Sequence, residues 1–258
     1  MRIIRFTDGH ESRPRYGVLD GDDVLALEGG FDMPAAGRRI TSLADVTLVN
    51  PCTPRVIVCA GSNYASQLAE LGRPRPSQPS MFLKGLNTLA GPSDTIAYPP
   101  GLERLEYEGE VAVVIGRTAR DLRPGDAARH VLGYTCANDV TASDWRADGQ
   151  WTRAKSLDTF CPLGPWIETG IDDPQALRLT TRLNGRIVQD CGTDDMIFGV
   201  VELLVWITRW ITLQAGDVVL TASPAGVGPM CVGDTVDVEV DLIGKLSNTV
   251  GERDALSA

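Results

Sequence analysis

Histidine is nearly absent from this chain: His10 and His130 are the two such residues among 258. That scarcity argues against a histidine-rich zinc site and against a Ser-His-Asp triad, both of which draw on imidazole. His10 sits in a polar turn and His130 follows a segment, 125–129, read as a helix, so both are expected to be structural or exposed. The six cysteines (Cys52, Cys59, Cys136, Cys161, Cys191 and Cys231) include no Cys-x-x-Cys pair, which disfavours a zinc knuckle. Most lie in apolar segments and read as reduced core residues. No apolar run is long enough to cross a bilayer. The opening Met1-Arg-Ile-Ile-Arg-Phe-Thr-Asp8 reads as a strand, without the apolar stretch of a secretory leader. A cytoplasmic location with no membrane partner is therefore expected. Basic residues are outnumbered, 24 Lys and Arg against 34 Asp and Glu, for a net charge of −10. A nucleic-acid partner, which needs a basic surface, is not expected. An anionic small molecule remains compatible, because a bound metal inverts the local field. The chain also lacks the Gly-Lys-Ser/Thr of a P-loop, an internal repeat and a βαβ rhythm.

What is present is a folded, β-rich chain. Segments 2–6, 16–19 and 23–26 read as short strands separated by turns such as Asp20-Gly21-Asp22. Residues 1–50 thus form a small N-terminal domain, and Pro51 and Pro54 mark its junction with a larger domain, 51–258. A buried strand over 55–60 ends at Gly61-Ser-Asn-Tyr64, and 65–71 has helical character. Gly72-Arg-Pro-Arg-Pro-Ser-Gln-Pro79 reads either as a surface linker or as a lid beside a site. Asn184-Gly185 predicts a hairpin between 178–183 and 186–189. Val200, Leu203, Leu204 and Ile207 fall at helical spacing, which predicts an amphipathic helix over 196–210 with its tryptophans in the core. Segment 235–242 alternates Val236, Val238 and Val240 with Asp237, Glu239 and Asp241, as a half-buried strand does. Many short strands with few helices define an α+β, mostly β fold, a roll or barrel-like arrangement.

The densest chemical signal is Leu105-Glu-Tyr-Glu-Gly-Glu-Val-Ala-Val-Val-Ile-Gly116. Its apolar, β-branched half predicts a buried strand. Residues two apart on a strand share a face, so Glu106, Glu108 and Glu110 are expected to line up and run into a core. Clustered carboxylates repel, and a divalent cation is the natural counter-charge. Hard ions such as Mg²⁺ and Mn²⁺ prefer carboxylate oxygens. Asp139, at the end of the apolar strand Val131-Leu-Gly-Tyr-Thr-Cys-Ala-Asn138, is the best candidate for a third ligand. Lys155 and Asp158 make either a surface ion pair or part of a packed segment that turns Lys155 inward, where it can meet a carboxylate or an enolate oxygen. Thr221-Ala-Ser-Pro-Ala-Gly-Val-Gly228 is either a plain turn or a small-residue loop whose N–H groups approach a ligand.

Taken in order, Gly61-Ser-Asn-Tyr64, Phe82-Leu-Lys84, Glu106-Tyr-Glu-Gly-Glu110, Gly133-Tyr134 with Asn138-Asp139, Lys155-Ser-Leu-Asp158, Pro162-Leu-Gly-Pro165, Leu213-Gln-Ala-Gly-Asp217 and Ser223-Pro-Ala-Gly-Val-Gly228 resemble the fumarylacetoacetate hydrolase family. The branch is that of bacterial 2-hydroxyhepta-2,4-diene-1,7-dioate isomerase- and decarboxylase-like proteins. The resemblance spans roughly 51–250, with 1–50 similar to the accessory domain of bacterial members. It implies a β-roll, a homodimer, and Mg²⁺ or Mn²⁺ on Glu108, Glu110 and Asp139, with Lys155 as a substrate-binding lysine. Substrates of the family are small 2-oxo and 1,3-dicarbonyl acids.

The chain departs from the family pattern around the expected site. The lid motif His-x-x-Glu is Gln67-Leu-Ala-Glu70 here, and glutamine accepts no proton at neutral pH. Glu70 is left as the candidate proton carrier, on the condition that burial raises its pKa. The motif Ser-Ala-Arg-Asp is Thr141-Ala-Ser143-Asp144, with an arginine three residues later. Arg146 is expected to take over carboxylate binding across a helical turn it shares with Ser143. Thr-Gly-Thr-Pro is Thr221-Ala-Ser223-Pro224, which alters the pocket floor. The expected function is decarboxylation or enol–keto isomerisation of a small enolisable 2-oxo or β-dicarbonyl carboxylate. The alternatives are a C–C hydrolase of the acylpyruvase type and a family member that has lost catalysis and serves as a binding subunit.

Overall fold

The computed structural model describes residues 1–9 and 13–253, so His10 lies outside the described residues. At its centre is the strand Gly109–Ile115, buried at all seven positions. Its side chains alternate between two cores. Val111, Val113 and Ile115 pack with Val58, Tyr64, Leu203 and Leu204, whereas Ala112 and Val114 pack with Ile57, Cys59, Leu132 and Leu163. Burial on both faces accounts for the unbroken apolar run, which a strand solvated on one side would not carry.

This strand is the middle of a twelve-stranded sheet. On one side it pairs antiparallel with Val131–Asn138, with Gly109 opposite Asn138, and that strand pairs in turn with Cys161–Glu168. On the other it pairs with Val218–Leu220, which runs parallel to Ile57–Gly61. The edge strand there is Ser80–Lys84. The N-terminal strands Arg2–Thr7, Arg15–Asp20, Asp23–Glu28 and Ala35–Ser42 continue the same sheet. Arg2 and Ile3 lie opposite Glu168 and Ile167, and the terminal ammonium is 3.0 Å from Glu168 Oε1. The first fifty residues are thus joined to the rest by β-pairing.

A five-stranded sheet packs Val238, Val240 and Leu246 onto the first core. Its hairpin Arg178–Leu183 to Arg186–Gly192 turns at Asn184 and Gly185, with φ of 51° and 79°, as the left-handed positions of a two-residue hairpin loop require. A three-stranded sheet centres Leu105–Tyr107 between Thr141–Ala142 and Gly228–Met230. Among the described residues each sheet has two ends, so the mostly β architecture is a roll of open sheets.

Two expectations need correction. The helix predicted over 196–210 is Val200–Ile207 alone. Asn63 captures the residues before it: its carbonyl accepts the Ile197 N–H and its Oδ1 accepts the Phe198 N–H. After it, the Thr208 hydroxyl donates to the Leu204 carbonyl (2.8 Å), and Trp210 is 66% exposed rather than in the core. His130 closes a 3₁₀ turn, Ala127–His130, with Nδ1 2.9 Å from the Thr118 carbonyl oxygen. All six cysteines are free thiols, four of them buried. Among the described residues no helix is long and apolar enough to cross a membrane.

Candidate active site

The segment carrying Glu106, Glu108 and Glu110 is not one continuous strand. Leu105–Tyr107 belongs to the three-stranded sheet and Gly109–Ile115 to the large one. The change of sheet falls at Glu108, where side chains replace ladder partners. Asn138 Oδ1 accepts the Glu108 N–H (2.9 Å) and Gln189 Oε1 accepts the Gly109 N–H (3.0 Å). Glu106 turns instead to Arg104 Nε, 2.6 Å away. Glu108 and Glu110 converge on Asp139, whose N–H donates to the Glu108 carbonyl (2.9 Å). One carboxylate oxygen from each of the three lies within 4.8 Å of the others.

Two buried lysines answer this charge. Lys155 ends the short helix Trp151–Lys155 and donates to Glu108 Oε1 (2.9 Å) and Asp139 Oδ2 (2.6 Å). Lys84 ends the strand Ser80–Lys84, bonds to Asp139 Oδ1 and donates to the Val140 carbonyl (3.1 Å). Burial works to raise the Asp139 carboxyl, but Lys155 and Lys84 together hold it below the usual carboxylate range. Burial works to lower the Lys155 ammonium, and Asp139 and Glu108 outweigh it, so the lysine stays charged. Glu110 is bonded to neither lysine. Burial first, then Asp139 and Glu108, push its carboxyl well above the usual range.

Glu110 also supplies the test of whether a metal fits. Its Oε2 accepts the Ala222 N–H (2.8 Å), but its Oε1, buried completely, has no partner among the described residues. A buried, unsatisfied carboxylate oxygen costs on the order of 1–3 kcal/mol or more unless a ligand reaches it. The donor set, carboxylates without thiol or imidazole, suits a hard divalent cation such as Mg²⁺ or Mn²⁺. The residues fit such an ion.

Glu108 and Lys155 open into a cavity of about 580 Å³, with Glu110 and Asp139 behind them. Gln67, Glu70, Ser143, Arg146 and Ser223 also line it. Arg146 rides on the 3₁₀ turn Asp144–Asp148, its Nη1 4.0 Å from Glu108 Oε1 and its guanidinium 6.0 Å from the Trp151 ring. The Arg146 N–H donates to the Ser143 carbonyl (3.2 Å), so one turn sets both positions. The Ser223 hydroxyl accepts from Gln189 Nε2 (2.8 Å).

Two candidates stand differently from expectation. The Thr221 side chain does not line the cavity; its hydroxyl donates to the Val111 carbonyl (2.8 Å) and so serves the sheet. Glu70 is exposed, so the burial required of it is missing. Its carboxylate accepts the Gly226 N–H (3.1 Å), while Ser66 Oγ accepts the Ala225 N–H (3.3 Å). These bonds fasten the helix Ala65–Glu70 to the 222–228 loop. Within that loop Ala222 has φ of 76°, a left-handed conformation that favours glycine. Its N–H on Glu110 and the bond from Asn63 Nδ2 to the Thr221 carbonyl (3.1 Å) hold it there. The proline-rich stretch 72–79 borders the cavity through Arg73 and is tied by Arg75 to the Ile197 carbonyl (3.1 Å). Asp158 lies outside the cavity, bonded to Asn87 and Arg253.

The residue that sequence reasoning passed over is Lys84, quoted as part of a motif but given no role. A signal existed: Lys84 lies two residues past Phe82 on a strand, hence on the same face. The Phe82 ring lies 5.2 Å from Lys155 Nζ. Arg104 and Trp151, both lining the cavity, carried no distinguishing pattern.

The site is thus a cluster of buried acids and lysines beneath a cavity lined by Arg73, Arg104 and Arg146, within a mostly β roll. Residues 56–251 match the fumarylacetoacetate (FAA) hydrolase C-terminal domain, and residues 1–51 match the Rv2993c-like N-terminal domain. The chain belongs to the fumarylacetoacetate hydrolase family. It is 38% identical to the mitochondrial oxaloacetate tautomerase FAHD2A of Homo sapiens, over 97% of this chain and 91% of that one. The crystal structure of 2-hydroxyhepta-2,4-diene-1,7-dioate isomerase from Mycobacterium marinum superposes with a TM-score of 0.90 at 38% identity, over 99% of this chain and 100% of that one. Maleylpyruvate hydrolase from Sphingobium sp. SYK-6, solved with manganese(II) and pyruvate, superposes at 0.80 with 28% identity, over 98% and 99%. These relatives are enzymes, and their names span tautomerisation, isomerisation and hydrolysis.

Proposed function

We propose that this protein is a divalent-metal-dependent enzyme that interconverts the enol and keto forms of a small 2-oxo dicarboxylate of the oxaloacetate type. The observation that carries the reading is the composition of the cavity: carboxylates and Lys155 at its base, arginines on its walls, and no histidine among its lining residues. Isomerisation needs a stabilised enolate and a proton carrier, and no activated water. The relatives named as oxaloacetate tautomerases support the choice of substrate.

In this reading Glu108, Glu110 and Asp139 hold Mg²⁺ or Mn²⁺, whose chemistry is Lewis acidity toward a 2-oxo oxygen. Lys155 places a fixed ammonium against the negative charge that develops on that oxygen as the enolate forms. Arg146 orients a substrate carboxylate, and Gln67 and Ser223 donate hydrogen bonds along the walls. Glu70 takes the proton lost from the carbon next to the carbonyl and returns it in the reverse direction; it does so without the burial first expected of it, as a cavity-wall carboxylate with no ion-pair partner among the described residues. Carbon–carbon bonds stay intact throughout.

The test is a product balance on enol oxaloacetate with Mg²⁺ or Mn²⁺. The expected result is accelerated loss of the enol's ultraviolet absorbance with oxaloacetate conserved. Stoichiometric CO₂ and pyruvate would mark a decarboxylase instead. Cleavage of an acylpyruvate into two acids would mark a hydrolase.

A further inference from the structure

We propose that a second cavity, sharing no lining residue with the first, binds an organic cation with an apolar body. It has a volume of about 480 Å³ and lies between the strand Val131–Asn138, residues 169–175 and the first turn of the helix Val200–Ile207.

The walls point to this ligand class by what they combine. Leu132, Val200, Leu204 and the Tyr134 ring supply apolar surface, while the charged side chains that line the cavity are all acidic: Asp172, Asp173 and Glu202. Glu202 is committed to the Gly199 N–H (2.9 Å). Asp173 uses Oδ1 to accept the Gln175 N–H (2.9 Å) and keeps Oδ2 free for a ligand. Asp172 has no ion-pair partner among the described residues.

Tyr134 is the independent observation. It is 7% exposed, yet its hydroxyl has no hydrogen-bond partner among the described residues. Unlike the fully covered hydroxyl of Tyr64, it is open to the cavity that Tyr134 lines, so a ligand there can reach it. Burial, and after it the charge of Asp173, push this phenol up to about 12. The hydroxyl and the Asp173 carboxylate line the same cavity. An amine or guanidinium seated between them would meet Asp173, the hydroxyl and the ring face together, a combination that suits a desolvated cation. The first cavity differs in charge, since Arg73, Arg104, Arg146 and Lys155 line it beside Glu70, Glu106 and Glu108.

The test is calorimetric titration of the full chain, in Mg²⁺ buffer, with phenethylamine and with 3-phenylpropanoate, its anionic counterpart of similar size. The expected result is saturable binding of the amine, tighter than the acid by about tenfold or more, given unlike against like charge at the rim. The exposed pair of changes Asp172→Asn and Asp173→Asn, made together, is expected to weaken the amine about fivefold, within the range of partly solvated ion pairs. That double variant should melt at the parent temperature. Tyr134→Phe should also weaken the amine while leaving the fold intact. Equal binding of acid and amine, no saturable amine binding at millimolar concentrations, or undiminished affinity in a folded double variant would overturn the proposal.

Discussion

Lys84→Met is the sharpest perturbation of the acid cluster. Methionine keeps the length of the stem and removes the ammonium. Lys84 is buried, with its side chain fully covered, and it bonds to Asp139 and the Val140 carbonyl. Breaking a buried pair from one side costs about 3–5 kcal/mol, because the remaining charge is left uncompensated. Lys155, 2.6 Å from the other oxygen of Asp139, still compensates part of it, so the low end, about 3 kcal/mol, applies. For a chain of this size that corresponds to a fall in melting temperature of about 6–12 °C. The assay is thermal unfolding in chelator and again in saturating Mg²⁺ or Mn²⁺. The divalent ion should recover part of the loss, since it would neutralise Asp139 and bind the folded state alone. A fall in chelator of less than about 2 °C, against the range set by buried pairs, would refute the claim that Lys84 balances the carboxylates.

Other changes probe neighbouring parts of the site. Glu110→Gln replaces a buried carboxyl whose ionised form burial, Asp139 and Glu108 disfavour, and it keeps an acceptor for the Ala222 N–H; without metal the variant should be more stable than the parent by up to about 1–2 kcal/mol, and with Mn²⁺ it should lack the parent's melting shift, read by calorimetry with and without the ion. Arg146→Ala should raise KM for the dicarboxylate by about tenfold or more with kcat little changed, as lost uniform binding does, and Arg146→Lys should recover part of it. Ala222→Gly should stabilise by about 0.5–1 kcal/mol, because relief of the left-handed conformation exceeds the added chain entropy; a lower melting temperature would contradict that balance.

The legible parts of the molecule were those with local periodicity. The apolar run beside Glu110 predicted a strand, and the strand is buried on both faces. Asn184-Gly185 predicted its hairpin. Glu108, Glu110 and Asp139 were gathered because an apolar strand ending in an acid is conspicuous. What strand periodicity missed is set by distant side chains. The break at Glu108 depends on Asn138 and Gln189, and no local pattern predicts that they intercept the ladder. The helix lost its first turn to Asn63, more than a hundred residues away in sequence. Thr221 reads like a pocket residue until the carbonyl of Val111 is seen to take its hydroxyl.

Whether the carboxylate cluster works as a metal centre for enol–keto exchange is decided by removing and restoring the metal. Enol decay should be followed in one sample as metal is removed and restored, with CO₂ recorded alongside. Chelator should abolish the acceleration, Mg²⁺ or Mn²⁺ should restore it, Glu110→Gln should not respond, and no CO₂ should accompany the decay. Full acceleration in saturating chelator, or CO₂ released in step with the enol, would contradict that role.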